Sequence, residues 1–286
     1  MTITQALLLA LIQGVGELFP VSSLGHTILV PAILHWNRID RADPGFLAFV
    51  VALHLGTALA LVVFYRRDWI AIVGALVRSV VRGRIGDDPN EKIGWLLVVG
   101  TIPVGILGIT FEHPVRLLFG SVAYAAMFLV VNGLIMFWGE RMRRRQHEDR
   151  HRAYRPLEEL TFLESILIGI GQSFALLPGI SRSGASMTAG LLFDLDHSAA
   201  ARYSFLLATP AIGAAGLLEV PKFFEPTPHA MLGFAVLGGL VSGIAAYASV
   251  AFLTRYFRSH DLRPFGWYCT AAGCIALVLS WKGVIR

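Results

Sequence analysis

The sequence predicts an all-α, polytopic membrane protein: six transmembrane helices plus two re-entrant helix–loop–helix hairpins, arranged as an inverted repeat. Three observations carry this reading. Of the 286 residues, 55% are hydrophobic and only 15% charged, against about 25% charged in soluble domains. Six apolar segments are long enough to cross a bilayer. Two further apolar stretches are interrupted by polar, proline- and glycine-containing loops, Gln13 to His26 (QGVGELFPVSSLGH) and Gln172 to Ser186 (QSFALLPGISRSGAS). Ionisable groups in membrane-embedded sequence are costly and mark function by default. Broken backbone at that depth survives only when it is buried in protein or lines a wet cavity.

Taken in order, the chain opens with apolar flanks at 4–12 and 26–34 around the first loop. Each flank is too short to span, so the pair predicts a hairpin that enters and leaves by one face. The leading MTITQALLLALIQ has no basic region and runs straight into the polar loop; it reads as retained structure and not as a cleaved signal. Spans follow at 46–65, 94–111 and 121–138. A basic linker (140–160) precedes the second hairpin, with flanks at 162–170 and 186–193, and then spans at 201–219, 230–253 and 264–281.

The order hairpin, three spans, linker, hairpin, three spans divides the chain into repeats at 1–139 and 161–286. Pro20 precedes Ser23 as Pro178 precedes Ser181, and Phe49-Val-Val-Ala52 answers Phe205-Leu-Leu-Ala208. An odd number of spans per repeat inverts one copy relative to the other. Arginines fit that layout. Arg66, Arg67, Arg78, Arg82 and Arg84 follow the first span, and Arg141, Arg143, Arg144, Arg145, Arg150, Arg152 and Arg155 fill the linker. The alternate loops carry only Arg116 and Lys222. Placing the rich loops in the cytoplasm satisfies the positive-inside rule. The hairpins then enter from opposite faces, and their tips meet near mid-membrane. The net charge of +5 is confined to these loops, which argues against nucleic acid as a partner. The linker reads as a solvated, orientation-setting loop.

Chemistry concentrates in the two loops. Gln13 and Glu17 lie at i, i+4 and share a helix face. Pro20 ends that helix, and Ser22, Ser23, Gly25 and His26 follow. A carboxylate, two hydroxyls and an imidazole can bind a metal, activate a hydroxyl nucleophile or shuttle a proton. The second loop, Pro178-Gly179-Ile180-Ser181-Arg182-Ser183-Gly184, offers a guanidinium, hydroxyls and freed backbone N–H groups. A helix starting near Ser183 points its positive end at the loop, and arginine's planar fork suits phosphate oxygens.

The pair Q-G-x-x-E-x-x-P-V-S-S-x-G-H and L-P-G-x-S-R-S-G-A, with S-F-L-L-A-x-P at Ser204 to Pro210, resembles the undecaprenyl-diphosphate phosphatase family. These are integral-membrane enzymes associated with bacitracin resistance, and the likeness covers essentially the whole chain. It implies hydrolysis of undecaprenyl diphosphate to undecaprenyl phosphate, the carrier lipid of cell-wall synthesis, on the outer side of the bacterial cytoplasmic membrane. It also implies a divalent cation, magnesium or calcium, and two inverted repeats with paired re-entrant hairpins. Residue by residue, the acidic motif falls on Gln13 and Glu17, the serine–histidine segment on Ser22, Ser23 and His26, and the arginine motif on Ser181, Arg182, Ser183 and Gly184. Gln13 stands where many members have glutamate, Gly16 where threonine is frequent, and Ser186 where threonine is usual. The glutamine removes a charge from any metal site, leaving Glu17 as the metal-binding carboxylate with substrate phosphates as further ligands.

The expected catalytic set is therefore Glu17, Ser23, His26 and Arg182, with Gln13, Ser22, Gly25, Gly179, Ser181, Ser183, Gly184 and Ser186 binding substrate. Ser23 attacking with Glu17 or His26 as base, and His26 attacking directly, both remain open. Duller roles stand beside these: helix caps for Ser22 and Ser181, an interhelical contact for His54, a favourable N-terminal charge for Glu164, apolar filler for Cys269 and Cys274, and a Glu17–Arg182 bolt between the hairpins. The inverted repeat equally suits a lipid-phosphate flippase or secondary transporter, which does not need the Glu17, Ser23 and His26 set. Glycines 233, 238, 239 and 243 in the fifth span permit close helix approach, within one chain or in a homodimer.

Overall fold

The computed structural model describes residues 1–36, 44–111, 118, 121–149, 153–219 and 229–285, and every regular element among them is helical. The first hairpin is α1 (Ile3–Gly16) and α2 (Ser23–Ile33). Then come α3 (Pro44–Phe64), α4 (Arg66–Arg82), α5 (Pro89–Thr110) and α6 (Val122–Arg144). The second hairpin is α7 (Phe162–Ser173) and α8 (Arg182–Leu192), followed by α9 (His197–Glu219), α10 (His229–Tyr256) and α11 (Arg263–Trp281). Each predicted span and each hairpin flank coincides with one of these helices. Residues Arg150, Arg152, Arg116 and Lys222, on which part of the charge argument rests, lie outside the described residues.

Both hairpins start the same way. Thr2 and Thr161 cap α1 and α7, and Gln5 and Glu164 reach back from the third helical position to the cap N–H, satisfying two orphan donors reciprocally. Glu164 thus does more than the favourable N-terminal charge expected of it. Helix α1 stops at Gly16, four residues before the predicted terminator Pro20, and Glu17 to Pro20 form the turn.

By length and apolarity α5, α6, α10 and α11 can cross a bilayer, and α3 with α4 makes a fifth candidate if the pair counts as one span bent by 83°. Helix α9 has 23 residues, and polar residues on it face protein: Tyr203 and Ser204 are fully buried. Large apolar side chains such as Leu59, Ile106, Ile109, Ile244 and Ile275 point outward on the other long helices. That distribution suits a hydrocarbon solvent and not water. The protein is multi-pass.

Helix α4 was not anticipated as a separate element. Ile72, Ala75 and Ser79 bury one face against α5, while Ile70, Val73, Val77 and Val81 form an exposed apolar stripe bordered by Arg67, Arg78 and Arg82. An exposed apolar stripe edged with arginines is the pattern of a helix lying in a membrane interface.

Packing is reciprocal between the two halves. Helix α3 lies along α10, α6 along α11, and α3 meets α9; α1 packs on α10, as α7 packs on α5. Glycines make these contacts possible. A Cβ on Gly14 would sit 2.3 Å from the Ser242 carbonyl oxygen, and one on Gly169 2.2 Å from that of Gly100. Gly238, Gly239 and Gly243 face Phe49, Ala52 and Gly56 of α3, so three of the four glycines of the fifth span serve an internal contact. His54 bonds the Val50 carbonyl of its own helix at 2.9 Å. The linker is tied down and not wholly solvated. Buried Glu140 accepts from the Leu262 N–H (2.9 Å) and pairs with His197 (2.7 Å) and Arg143 (3.2 Å), and Arg155 binds Glu164 and the Phe193 carbonyl.

Candidate functional site

The two hairpin tips meet, and they do so through glycine. A Cβ on Gly25 would fall 3.0 Å from the Gly179 Cα, and Gly179 itself has φ +111° with its Cα pressed toward α6, where a Cβ would lie 2.3 Å from the Ala125 carbonyl oxygen. Only glycine tolerates both that dihedral and that approach. Ser183 Oγ donates to the Phe19 carbonyl at 3.1 Å, and Gly184 sits against Pro20.

At this junction the structure gathers Gln13, Glu17, Ser23 and Arg182. Gln13 Nε2 donates to Glu17 Oε2 at 3.1 Å, as the i, i+4 spacing predicts, and Ser23 Oγ donates to the same oxygen at 2.7 Å. Arg182 Nε donates to Glu17 Oε1 at 3.2 Å. The carboxylate therefore holds a serine hydroxyl on one oxygen and a guanidinium on the other. Glu17 and Arg182 side chains are only 9% and 10% exposed, so the pair is a desolvated one whose charges cancel. Arg182 Nη1 donates to the Ser204 carbonyl at 3.2 Å, while Nη2 is buried with no partner. An orphan guanidinium N–H is costly, and an oxyanion is the acceptor that satisfies it.

The remaining predicted residues build the scaffold of this cluster. Ser22 caps α2, accepting from the Gly25 N–H at φ +67°, and Ser181 caps α8, accepting from the Gly184 N–H. The cap roles expected of both serines are observed, and α8 starts at Arg182, one residue before the expected start. Two helix N-termini, of α2 and α8, thus open at the same junction, which favours negative charge there. Ser181 Oγ contacts Ser183 Oγ at 3.0 Å, and Ser186 Oγ donates to the Arg182 carbonyl at 2.8 Å.

His26 is set apart. Its Nδ1 bonds the Ser22 carbonyl at 2.7 Å and its Nε2 meets Tyr268 Oη at 2.8 Å. Neither nitrogen bonds Ser23 or Glu17. Of the two bases left open for Ser23 by the sequence, the geometry supplies Glu17.

Three residues escaped the sequence reading. Asn132, fully buried on α6, donates to the Pro20 carbonyl (3.0 Å) and accepts from the Ser181 N–H (3.0 Å), clamping one loop to the other. Cys269, read as filler, bonds Asn132 and the Pro20 carbonyl through its thiol, while Cys274 is exposed. Ser204 holds Arg182 through its carbonyl and Ser186 through its hydroxyl at 2.7 Å. The motif Ser204 to Pro210 contained Ser204, but nothing in the spacing said that it faces Arg182. Asn132 stands ten residues into α6 from Val122, about 15 Å at 1.5 Å per residue, which puts the junction near the middle of that helix.

A metal ion held by the protein alone does not fit this site. Among the described residues no group of three or more His, Cys, Asp or Glu is placed to hold one. Glu17 is the only acidic residue of the two loops, and both its oxygens are engaged by Arg182, Ser23 and Gln13.

Comparison with known proteins shows the family. The family model described as bacitracin resistance protein BacA matches residues 6–275. The undecaprenyl-diphosphatase 2 of Chromobacterium violaceum is 47% identical over 284 residues, covering 98% of this chain and 99% of the relative. The undecaprenyl-diphosphatase of Acidiphilium cryptum is 45% identical over 285 residues, 98% of each chain. That of Mycolicibacterium paratuberculosis is 43% identical over 294 residues, 96% of each.

Proposed function

The chain belongs to the BacA family of bacitracin resistance proteins, and from that premise we propose that it hydrolyses undecaprenyl diphosphate to undecaprenyl phosphate and inorganic phosphate. One observation carries the reading beyond the family: Ser23 Oγ bonded to Glu17 at 2.7 Å, beside a guanidinium with an unsatisfied N–H. A transporter needs the cation but not a hydroxyl bonded to a base.

Arg182 Nη2 and the N-termini of α2 and α8 receive the diphosphate oxygens, and charge building on the transferring phosphoryl group falls on the same donors. Ser23 Oγ attacks the terminal phosphorus while its proton passes to Glu17 Oε2. The bond to the bridging oxygen breaks, and undecaprenyl phosphate leaves. Water then attacks the phosphoserine and releases inorganic phosphate, restoring Ser23 O–H. Because diphosphate competes for Arg182, its arrival loosens the Arg182 hold on Glu17 and frees the carboxylate to act as base. Gln13 keeps that carboxylate oriented. A divalent cation comes with the diphosphate as its counter-ion, since the side chains present do not make a site for it alone.

In the membrane, the reading is six spans with two re-entrant hairpins in inverted halves at 1–139 and 161–286. The matched capping boxes and the reciprocal packing of α1 on α10 and α7 on α5 support it. The arginines of α4 and of the linker belong to the cytoplasm, and the site opens toward the outer face of the bacterial inner membrane. The mid-helix depth of the junction also suits a lipid-phosphate flippase.

The deciding experiment is phosphate release from undecaprenyl diphosphate by detergent-purified protein, wild type beside Ser23→Ala and Arg182→Ala, with and without EDTA. Release that is metal-dependent and lost in both variants is the expected result. Folded wild type that binds the lipid without releasing phosphate would overturn the phosphatase, and lipid flipping by Ser23→Ala in sided liposomes would then favour the flippase.

A further inference from the structure

His26 raises a question that the Ser23–Glu17–Arg182 cluster does not answer: which group governs its reactive nitrogen. A carbonyl oxygen can only accept, so His26 Nδ1, 2.7 Å from the Ser22 carbonyl, carries the proton. Nε2 is then the atom through which a neutral imidazole can accept, donate on protonation or attack. That atom faces Tyr268 Oη at 2.8 Å, contributed by α11 from 242 positions along the chain. The two rings also stack, with centroids 5.7 Å apart and planes inclined by 11°.

Tyr268 is held there by construction. Helix α11 approaches α6 through small residues: a Cβ on Gly133 would meet the Gly266 carbonyl oxygen at 2.7 Å, and one on Gly273 the Ala126 carbonyl oxygen at 2.8 Å. The very next residue, Cys269, is buried and reaches the Pro20 carbonyl and Asn132. Consecutive positions on α11 thus grip the first loop at two points, Pro20 and His26. Tyr268 is nevertheless half-exposed. No packing demand on a half-exposed aromatic explains a hydroxyl aimed at a ring nitrogen.

We propose that Tyr268 is the positioning residue of His26: its hydroxyl caps Nε2 and, with the Ser22 carbonyl, fixes the tautomer and plane of the imidazole. The hydroxyl serves both protonation states, donating to neutral Nε2 and accepting from Nε2–H when the ring is charged. Proton traffic at His26 therefore passes Tyr268 Oη or waits for it to move. The proposal rests on the phosphatase reading for its catalytic consequence but not for the cap itself.

The test has two arms. Diethyl pyrocarbonate acylates an accessible neutral imidazole nitrogen, and the extent at His26 is read by peptide mass spectrometry in wild type and Tyr268→Phe. Phenylalanine keeps the ring stack and removes only the cap. Labelling at least fivefold faster in Tyr268→Phe is expected; equal rates, or no labelling in either, would overturn the cap whatever the protein's activity. The second arm is a double-mutant cycle in phosphate release with His26→Gln. Any loss of kcat in Tyr268→Phe should vanish in the His26→Gln background, the double variant being no worse than His26→Gln alone. Multiplying losses would show that Tyr268 acts independently of His26 and would overturn its positioning role. Wild type without phosphate release would instead end the phosphatase reading while the labelling arm still decides the cap.

Discussion

Removing Arg182 and Glu17 singly and together separates a catalytic pair from a structural bolt. Arg182→Met leaves a carboxylate that is 9% exposed with only the Ser23 hydroxyl and Gln13 amide as donors. Stranding one charge of a buried pair costs about 3–5 kcal/mol, and protonation of the carboxylate relieves part of that at about 1.4 kcal/mol per pH unit. Glu17→Gln strands the guanidinium in the same way, whereas Glu17→Gln with Arg182→Met removes both charges. The double variant should recover to within about 1–2 kcal/mol of wild type, because replacing a whole buried pair by neutral groups is often neutral. Thermal unfolding in detergent, followed by tryptophan fluorescence, reads stability; phosphate release reads function. The expected pattern is two destabilised single variants, a double variant that melts near wild type, and turnover reduced about 10³-fold or more in all three. A double variant that both melts and turns over within tenfold of wild type would refute the catalytic assignment and leave the pair a bolt.

Other substitutions test the scaffold. Asn132→Leu keeps the volume but leaves the buried Pro20 carbonyl and Ser181 N–H without their clamp, at about 1–3 kcal/mol for each group; a lower melting temperature and slower turnover are expected, and wild-type values for both would show that Asn132 is not the clamp. Gly179→Ala demands φ near +111° of an L-residue and sets a Cβ 2.3 Å from the Ala125 carbonyl oxygen, so it should abolish turnover and lower expression, while Gly83→Ala, at φ +68° with open space around it, should cost only about 1 kcal/mol or a little more in unfolding experiments. At the start of α5, the Asn90 N–H and Arg78 hold the Asp88 carboxyl below its usual range. A depressed folded value means stability that is present above about pH 3.9 and lost as pH falls through the folded value; Asp88→Asn should flatten that acid limb of the melting profile, and an unchanged limb would exclude Asp88 as its source.

How much of this was legible in sequence follows from the range of the interactions. Helices and hairpins were readable because apolar runs, prolines and glycine–serine loops act within a few residues. The Gln13–Glu17 contact was readable for the same reason, being one helical turn. Helix α4 escaped because its valines and arginines were counted as loop charges, although their spacing at 70, 73, 77 and 81 is helical. Polar Tyr203 and Ser204 look foreign to a membrane helix until Ser165 and Arg182 are found beside them, Ser165 Oγ 2.6 Å from Tyr203 Oη. Nothing local pointed to the partners of Asn132, Ser204 and Tyr268, since each acts across a gap of 18 to 242 residues.

The site's polar groups also explain why the junction is built from two loops and not one. Glu17 alone, buried in apolar surroundings, would be driven to protonate and would not serve as a base. Arg182 alone would be an uncompensated cation of the kind that membrane interiors exclude. Bringing each on a separate hairpin makes the neutral pair conditional on the tips meeting, and Asn132, Gly25 and Gly179 fix that meeting. The pair is tight enough to hold an empty site together, yet leaves Nη2 unsatisfied. On the proposed mechanism a diphosphate supplies that acceptor and draws the guanidinium off Glu17, so that activation of Glu17 as the base for Ser23 waits for substrate. That ordering requires Arg182→Lys, which retains charge but loses the planar fork, to lower kcat more than it raises KM. An Arg182→Lys enzyme with normal kcat and only weaker binding would break the coupling and reduce Arg182 to a binding group.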